Sequence, residues 1–295
     1  MQKFLYSAFL PSLNKTVSLT EVPFSSYKQL AKLILNNNDE YIITAFNEII
    51  TSCCKNSISD ITFLDKLIIL LTIRAVCVSP FLELVVKHPE TENSINLSFN
   101  ILDVIDKIDK LSLFTELNSI TVTYLNDIKI TYGIPDEFFF TNREDAIIST
   151  IRKIRIKDVD VTDKKNELIE LLPAAVFKDA NEHINKINDK ISELTLLSVT
   201  FSSTDDNKNI KINTDLFSNS VLEFLKLCFK RDLNSMYELE YYLSAKLKIP
   251  YELISSSTLA ELTIYINLYK EEQAAKEKAE KQSARNSNPL APRTG

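Results

Sequence analysis

The chain has 295 residues, 45% of them hydrophobic and 25% charged, with a formal net charge of −6. That is enough apolar material for a sizeable core and for two lobes rather than one, and the mildly acidic balance argues against a basic nucleic-acid binder. Only two glycines occur, Gly133 and Gly295, so a P-loop, a dinucleotide fingerprint and a nucleophile elbow are excluded in their usual forms, each of which needs several backbone-permissive glycines at fixed spacing.

Residues 3–24 read as extended. β-Branched and aromatic residues in "KFLYSAFLPS" and "KTVSLTEVPF" flank a turn-like "SLNK", as two short strands would. The apolar run at the N-terminus is broken by Pro11 and has no cleavage pattern, so no secretory signal is expected. Ser26 and Gln29 have capping-box spacing at the head of a helix. Ile42, Phe46, Ile49, Ile50 and Cys53 then form one apolar stripe of a second helix. The segment 59–80 is apolar almost all round between Phe63 and Val78 and is expected to be the central helix of the first lobe, ended or kinked by Pro80. It holds the most apolar stretch of the chain, at 67–78, which is too short to span a membrane and contains Arg74.

Arg74 is singled out as a structural charge. Buried without a partner, a guanidinium costs several kcal/mol. Asp65 is too far along the same helix to pair with it, so another element must supply a carboxylate or backbone carbonyls; the alternative is that Arg74 snorkels to the surface.

From 93 to 133 the pattern changes to alternation. Ile120, Val122 and Tyr124 share one face, and Ile128, Ile130 and Tyr132 follow an Asn-Asp turn, which predicts a hairpin in a small antiparallel sheet. A short helix, "DVIDKIDKL", precedes it. Three consecutive aromatics, Phe138, Phe139 and Phe140, cannot all face one core direction: two buried and one partly exposed is the plain expectation, and a knob for a partner protein the functional one. Thr141 and Glu144 have capping-box spacing before a helix carrying Ile147, Ile151 and Ile154, whose basic cluster Arg152, Lys153, Arg155 and Lys157 reads as a solvated face. Helical segments are expected around 163–177 and 180–197, and a linker at 201–214.

The last lobe starts near Asp215. Ser235 with Glu238, and Thr258 with Glu261, have capping-box spacing before further helices, and compact helices with short loops suit a helical subdomain. Past residue 270, Glu272 with Lys276 and Glu277 with Lys281 stand four apart in the favourable order on a helix with almost no apolar face, expected to project into solvent or lie against a partner. The last residues, "RNSNPLAPRTG", are expected to be disordered unless a partner holds them.

Metal and redox chemistry find little support. His88 and His183 have no ligand-spaced partner and both read as solvated, so no histidine-based metal site or triad is expected. Cys53, Cys54, Cys77 and Cys228 show neither CxxC spacing nor a disulfide framework; they read as structural thiols and suit a reducing compartment such as a bacterial cytoplasm.

The order "FLPSLNKTVSLTEVPFSSYKQLAKLI" then "ITFLDKLIILLTIRAVCVSP" resembles the baseplate hub protein family of T-even-type contractile-tailed phages. The matching positions are Pro11 and Ser12 at the strand turn, Tyr27 and Lys28 opening a helix, Asp65 and Lys66 at the start of the buried helix, and Arg74 and Ala75 near its end. The C-terminal "TLAELTIYINLYKEE" resembles the ends of longer phage relatives more loosely. The resemblance covers about a third of the chain and carries no catalytic signature. The family often has Gly after the Ser that follows the Arg-Ala helix; here Ser79 is followed by Pro80, so a different connection into the sheet is expected.

The resemblance implies a structural, non-enzymatic baseplate component in the hub region of the viral tail. It would be made in the host cytoplasm, located in the virion, and partnered by other baseplate and hub proteins in multiple copies within a symmetric assembly. No cofactor, metal, nucleic acid or membrane span is expected. The alternative is a transient hub assembly factor or chaperone absent from the mature virion. Paired acids such as Asp136 with Glu137 and Asp205 with Asp206 could serve glycoside cleavage, but 40 acidic residues guarantee such pairs. The expected fold is α+β and mainly α-helical: an N-terminal lobe with strands, helices and a small antiparallel sheet (1–135), a helical middle segment (136–200), the linker (201–214), a C-terminal helical subdomain (215–270), and a projecting charged arm with a disordered tail (271–295).

Overall fold

The computed structural model describes residues 5–55, 58–87, 94–110, 113–125, 127–137, 140, 142–194, 196–202, 209–215 and 221–286. The fold is α+β, mainly α-helical with small antiparallel sheets. The chain divides into two compact units, one of Met1–Glu21 with Leu33–Lys230 and one of Val22–Lys32 with Arg231–Gly295.

The first unit opens with the expected hairpin. Strands β1 (Leu5–Leu10) and β2 (Lys15–Thr20) pair antiparallel, closing at Leu10↔Lys15. Alternation buries Ala8, Leu10, Val17 and Leu19. The turn carries Asn14 in the left-handed region, at φ 47°, which a short polar side chain tolerates. Helix α1 (Phe24–Asn36) follows and is divided between the units at Lys32/Leu33. It starts before the expected Ser26 cap, directly after Pro23, whose carbonyl accepts from Tyr27 N; Ser26 therefore lies within the first turn. Helix α2 (Asp39–Cys53) is capped by Asn38 Oδ1, which accepts from Tyr41 N at 3.3 Å, and buries the predicted Ile42–Cys53 stripe.

Helix α3 (Phe63–Cys77) is buried along nearly its whole length, as its all-round apolarity requires. It packs against β1, β2 and α2. After Ser79 and Pro80 the chain runs straight into strand β3 (Phe81–Lys87), paired antiparallel with β4 (Ser94–Asn100). Helices α4 (Leu102–Lys110) and α5 (Leu113–Leu117) lead to the predicted hairpin of β5 (Ile120–Tyr124) and β6 (Ile128–Tyr132), in the register Val122↔Ile130.

The basic stretch that follows departs from its expectation. Helix α6 (Arg143–Ser149) is short and capped by Asn142 Oδ1 on Asp145 N at 2.8 Å, while Thr141 lies outside the described residues. The helix does not continue. Ile151–Ile156 form strand β7, which joins β6 and the two-residue β8 (Val159–Asp160) to complete a sheet of order β5-β6-β7-β8. Arg152, Lys153 and Arg155 therefore stand on a strand, not on a helical face. Short helical turns including α7 (Lys165–Leu168) lead to α8 (Ala174–Leu194), which lays Val176, Ala180, Ile184, Ile187 and Ile191 into the unit's interior.

The stretch expected as a linker carries a hairpin instead: β9 (Leu196–Ser202) pairs antiparallel with β10 (Asn209–Asp215), bringing Val199 opposite Ile212 and Phe201 opposite Ile210. The polar content hid a period-two alternation of Leu197, Val199 and Phe201 with serine and threonine. Helix α9 (Val221–Phe229) closes the unit with Leu222, Phe224, Leu225 and Phe229 almost fully buried.

The second unit packs the first part of α1 with α10 (Leu233–Ala245), α11 (Tyr251–Ser256) and α12 (Leu259–Asn286). The cap of α10 is Asp232, whose carboxylate accepts from Asn234 N and Ser235 N; Ser235 lies inside the first turn and was not the cap its spacing suggested. The Thr258–Glu261 capping box is present in both directions, at 2.9 and 3.2 Å. Phe24, Tyr27, Leu30, Leu243, Ile254 and Leu262 form the interior.

Candidate functional site

Lys28, Asp65, Lys66 and Arg74, the charged residues of the sequence resemblance, are all buried, so the question for each is what compensates its charge. Asp65 is fully buried at the start of α3. One carboxylate oxygen accepts from Thr62 N at 2.9 Å and Thr62 Oγ1 at 2.5 Å, and Thr62 Oγ1 accepts from Asp65 N at 3.3 Å. This is a reciprocal capping box made with Asp. The other oxygen accepts from Ser12 N at 3.3 Å in the β1–β2 turn. One carboxylate thus caps the central helix and pins the N-terminal hairpin. Lys66, the next residue, is also buried and reaches Glu137 Oε1 at 3.2 Å.

Arg74 sits at the other end of α3, 6% exposed. Its Nε donates to Cys228 O at 2.7 Å, in the last turn of α9, and its Nη1 donates to Ser79 O. Carbonyls at helix C-termini lack intrahelical donors and carry the negative end of the helix dipole. A guanidinium with several fixed donors can satisfy the end of α9 and the Ser79 carbonyl just past α3 together. Beside it, burial pushes the Cys228 thiol up to about 12, against the opposing pull of the Arg74 charge. Burial likewise raises Cys54 to about 11. All four cysteines are free, and three are buried.

Two further constellations escaped the sequence reading. Lys226 on α9 is buried, and its Nζ donates to Asp39 Oδ1 at 2.5 Å, Glu223 Oε1 at 2.6 Å and Asn37 Oδ1 at 3.0 Å. Burial works to lower its pKa, but the hydrogen bonds to Asp39 and Glu223 raise it. Only the Glu223–Lys226 spacing was a signal for this cluster. Under the four-stranded sheet, Tyr124 Oη lies 2.6 Å from Tyr132 Oη and donates to Asp179 Oδ2 at 2.5 Å, while Tyr132 Oη donates to Val176 O at 3.0 Å. Burial first, then these hydrogen bonds, raise the Tyr124 pKa far above its ordinary value. His183, expected in solvent, is 5% exposed, its ring 5.9 Å from that of Tyr132. Burial lowers its pKa, opposed by hydrogen bonds to the backbone of Leu117 and Gly133, and its Nε2 has no hydrogen-bond partner. His88 lies outside the described residues.

In the second unit, Lys28 is nearly buried. It pairs with Glu240 Oε2 at 2.5 Å and lies 3.9 Å from the ring centroid of Tyr237. Lys32 lies 5.5 Å from the same ring, and its hydrogen bond with Tyr237 raises its own pKa and lowers that of the phenol. Lys28, Lys32 and Glu240, with Phe24, Tyr251 and Ser255, line an open cleft of about 320 Å³.

Of the aromatic knob, Phe138 and Phe139 lie outside the described residues; Phe140 is half-buried. Among the described residues no group of His, Cys, Asp and Glu could hold a metal ion, and no helix is long and apolar enough to cross a membrane. The arrangement spends its charges on joining elements. What it offers outward is exposed aromatic and aliphatic surface: Phe81 and Val85 in the first unit, Tyr237, Tyr241 and Tyr251 in the second.

Residues 1–198 match the family described as T4 bacteriophage base plate protein. The chain belongs to this family. Comparison with curated proteins and with solved structures returned no match. All eight positions that carried the sequence resemblance fall inside the matched span, and most of them are the ones built into the fold's joints. The protein is thus a T4-type phage baseplate component. Its last three helices and the β10–α9 region lie beyond the matched residues.

Proposed function

We propose that this baseplate protein is a structural component of the hub region, retained in the virion, that works through protein–protein contacts and not through catalysis. One observation carries the reading: the charged side chains of the family-like motif (Asp65, Lys66, Arg74 and Lys28) are all engaged inside the fold. Groups held this way fix helices and hairpins in place and are poorly available for proton transfer or nucleophilic attack. The exposed tyrosines of the second unit suit contact with other proteins, since Tyr combines apolar area with a hydrogen-bonding tip. Phe138, Phe139 and Phe140 belong to the same proposal as a contact knob. The partners are other baseplate and hub proteins, present in multiple copies in a symmetric assembly; neither nucleic acid nor a cofactor takes part.

Reconstruction of intact baseplates, with mass spectrometry of purified tails, tests this reading. A defined copy number at the hub is the expected result. Recovery of the chain from hub precursors but not from finished particles would replace the reading with that of an assembly factor. A cell-wall zymogram of the purified protein should stay blank; a clearing zone would refute the non-catalytic part.

A further inference from the structure

The open cleft of the second unit has an uneven charge. Ser25, Lys28, Gln29 and Lys32 recur at helical spacing along one face of α1 and line it; Glu240 of α10, with Tyr251 and Ser255 of α11, supply most of the rest. Two ammonium groups therefore share the cleft with a single carboxylate, in a chain whose net charge is −6. Lys28 is only 8% exposed. Glu240 Oε2 takes one of its three donors, at 2.5 Å, and the Tyr237 ring centroid lies 3.9 Å away. Lys32 is exposed and stands 5.5 Å from the same centroid, so both cations are within cation–π reach of one ring. At Phe24 and Ser25 the lining is the first turn of α1, which holds no acidic side chain, so the helix dipole adds to the positive potential there.

We infer that this cleft receives a short acidic segment of a partner protein, held by its carboxylates. Lys32, the exposed cation, meets an incoming carboxylate first, and Lys28 has donors left to share with it. A second carboxylate beside Glu240 balances the charge that Glu240 alone does not. The exposed ring of Tyr251 offers the segment an apolar body with a hydrogen-bonding tip, while the hydroxyls of Ser25 and Ser255 and the amide of Gln29 can donate to its backbone carbonyls. The cleft, about 320 Å³, is at the small end for a specific pocket. From Ser25 to Lys32 the helix advances about 10 Å, the length of about three residues of extended chain. A nucleic-acid strand, charged at every phosphate, would run past the cleft onto a chain of net −6; a short acidic segment ends within it. The inference adds a partner chemistry to the protein-contact reading proposed above. It would hold for a retained component and for an assembly factor alike, so its failure leaves the hub assignment untouched.

The test uses the full chain and a fluorescent, end-capped hexaglutamate peptide, read by anisotropy at low salt. Binding with a Kd of about 100 μM or tighter is expected, weakening as salt rises through ~0.15 M; capped hexaglutamine should not bind. Lys32→Glu should weaken binding by about tenfold or more. Lys32 is exposed, so far-ultraviolet circular dichroism should confirm that this variant folds. Glu240→Gln keeps an acceptor for Lys28 and removes the carboxylate of the cleft, so it should tighten binding by about threefold or more. The exposed lysines at the end of α12 control for unspecific attraction: Lys278→Glu combined with Lys281→Glu should change binding by less than about twofold. Four results would each overturn the inference: no preference for hexaglutamate over hexaglutamine, a Lys32→Glu variant that binds as before, a Glu240→Gln variant of unchanged circular dichroism that binds more weakly, or a thymidine oligonucleotide of equal charge that binds more tightly than the peptide.

Discussion

Arg74 shows what one residue can and cannot disclose. The sequence required a partner from another element for a guanidinium in so apolar a helix. Its partners include the carbonyls of Cys228 and Ser79, and backbone carbonyls leave no mark in a sequence, so the need was legible and the solution was not. Arg74→Met removes both donations and strands one carbonyl at the end of α9 and one just past α3; it should cost about 2–4 kcal/mol. Arg74→Lys, with one ammonium in place of a planar fork, should recover only part of that. Denaturant midpoints at unchanged m-value check both. His183 was misread because its neighbours along the chain are polar while its own face of α8 turns inward. Its folded pKa lies below the ordinary 6.5, so the unfolded chain binds the proton more readily. The stability it contributes is full above pH ~6.5 and is lost as pH falls below that value. His183→Gln should flatten the slope of unfolding free energy between about pH 7 and 5, and a slope unchanged by the substitution would show that other groups set it.

Among the elements, those whose periodicity matched their burial were legible: the α2 stripe, the all-apolar α3, the β5–β6 hairpin and the Thr258–Glu261 cap. Strand β7 was not, for a specific reason. The β6–β7 register shifts between Thr131 and Tyr132, which pair with Lys153 and Ile151, so Arg152 is the extra residue of a β-bulge. The bulge sets the buried Ile151 and Ile154 three apart, and together with Ile147 that spacing imitates a helix. Gly133 sits beside this irregularity, its N–H donating to Thr150 O at 2.8 Å. A Cβ there would come within 2.8 Å of Arg152 Cγ and 2.9 Å of Asn118 Oδ1. Gly133→Ala should therefore destabilise by about 1–3 kcal/mol, and amide exchange should speed up first in β6 and β7 if the bulge is where the damage falls.

For the molecule as a whole, the family was readable from the first ninety residues and the mainly helical α+β class from the periodicities along the whole chain. The division into units was not readable, because it cuts α1 between Lys32 and Leu33, inside a continuous helical pattern with no composition change to mark it. The site was legible as a set of residues and illegible as a set of joints: Asp65, Lys66 and Arg74 were named, but their work on the β1–β2 turn, Glu137 and the end of α9 depends on long-range packing that one sequence does not encode locally.

The scarcity of glycine leaves no room for the usual glycine-rich motifs, and it has a second effect in the turns. Eight described residues other than glycine hold a positive φ, including Ser119, Leu125, Lys157 and Lys248, and all eight are exposed. Lys248 at φ 57° follows the C-terminus of α10, a position where other chains commonly place glycine. Lys248→Gly and Leu125→Gly should each raise stability by about 0.5–1 kcal/mol; being far apart in sequence and in different units, their effects should add, as a shift in Tm would show. The protein's heat resistance thus has headroom at its outer corners, where one small residue can relax a cramped peptide and leave every interior side chain as it is.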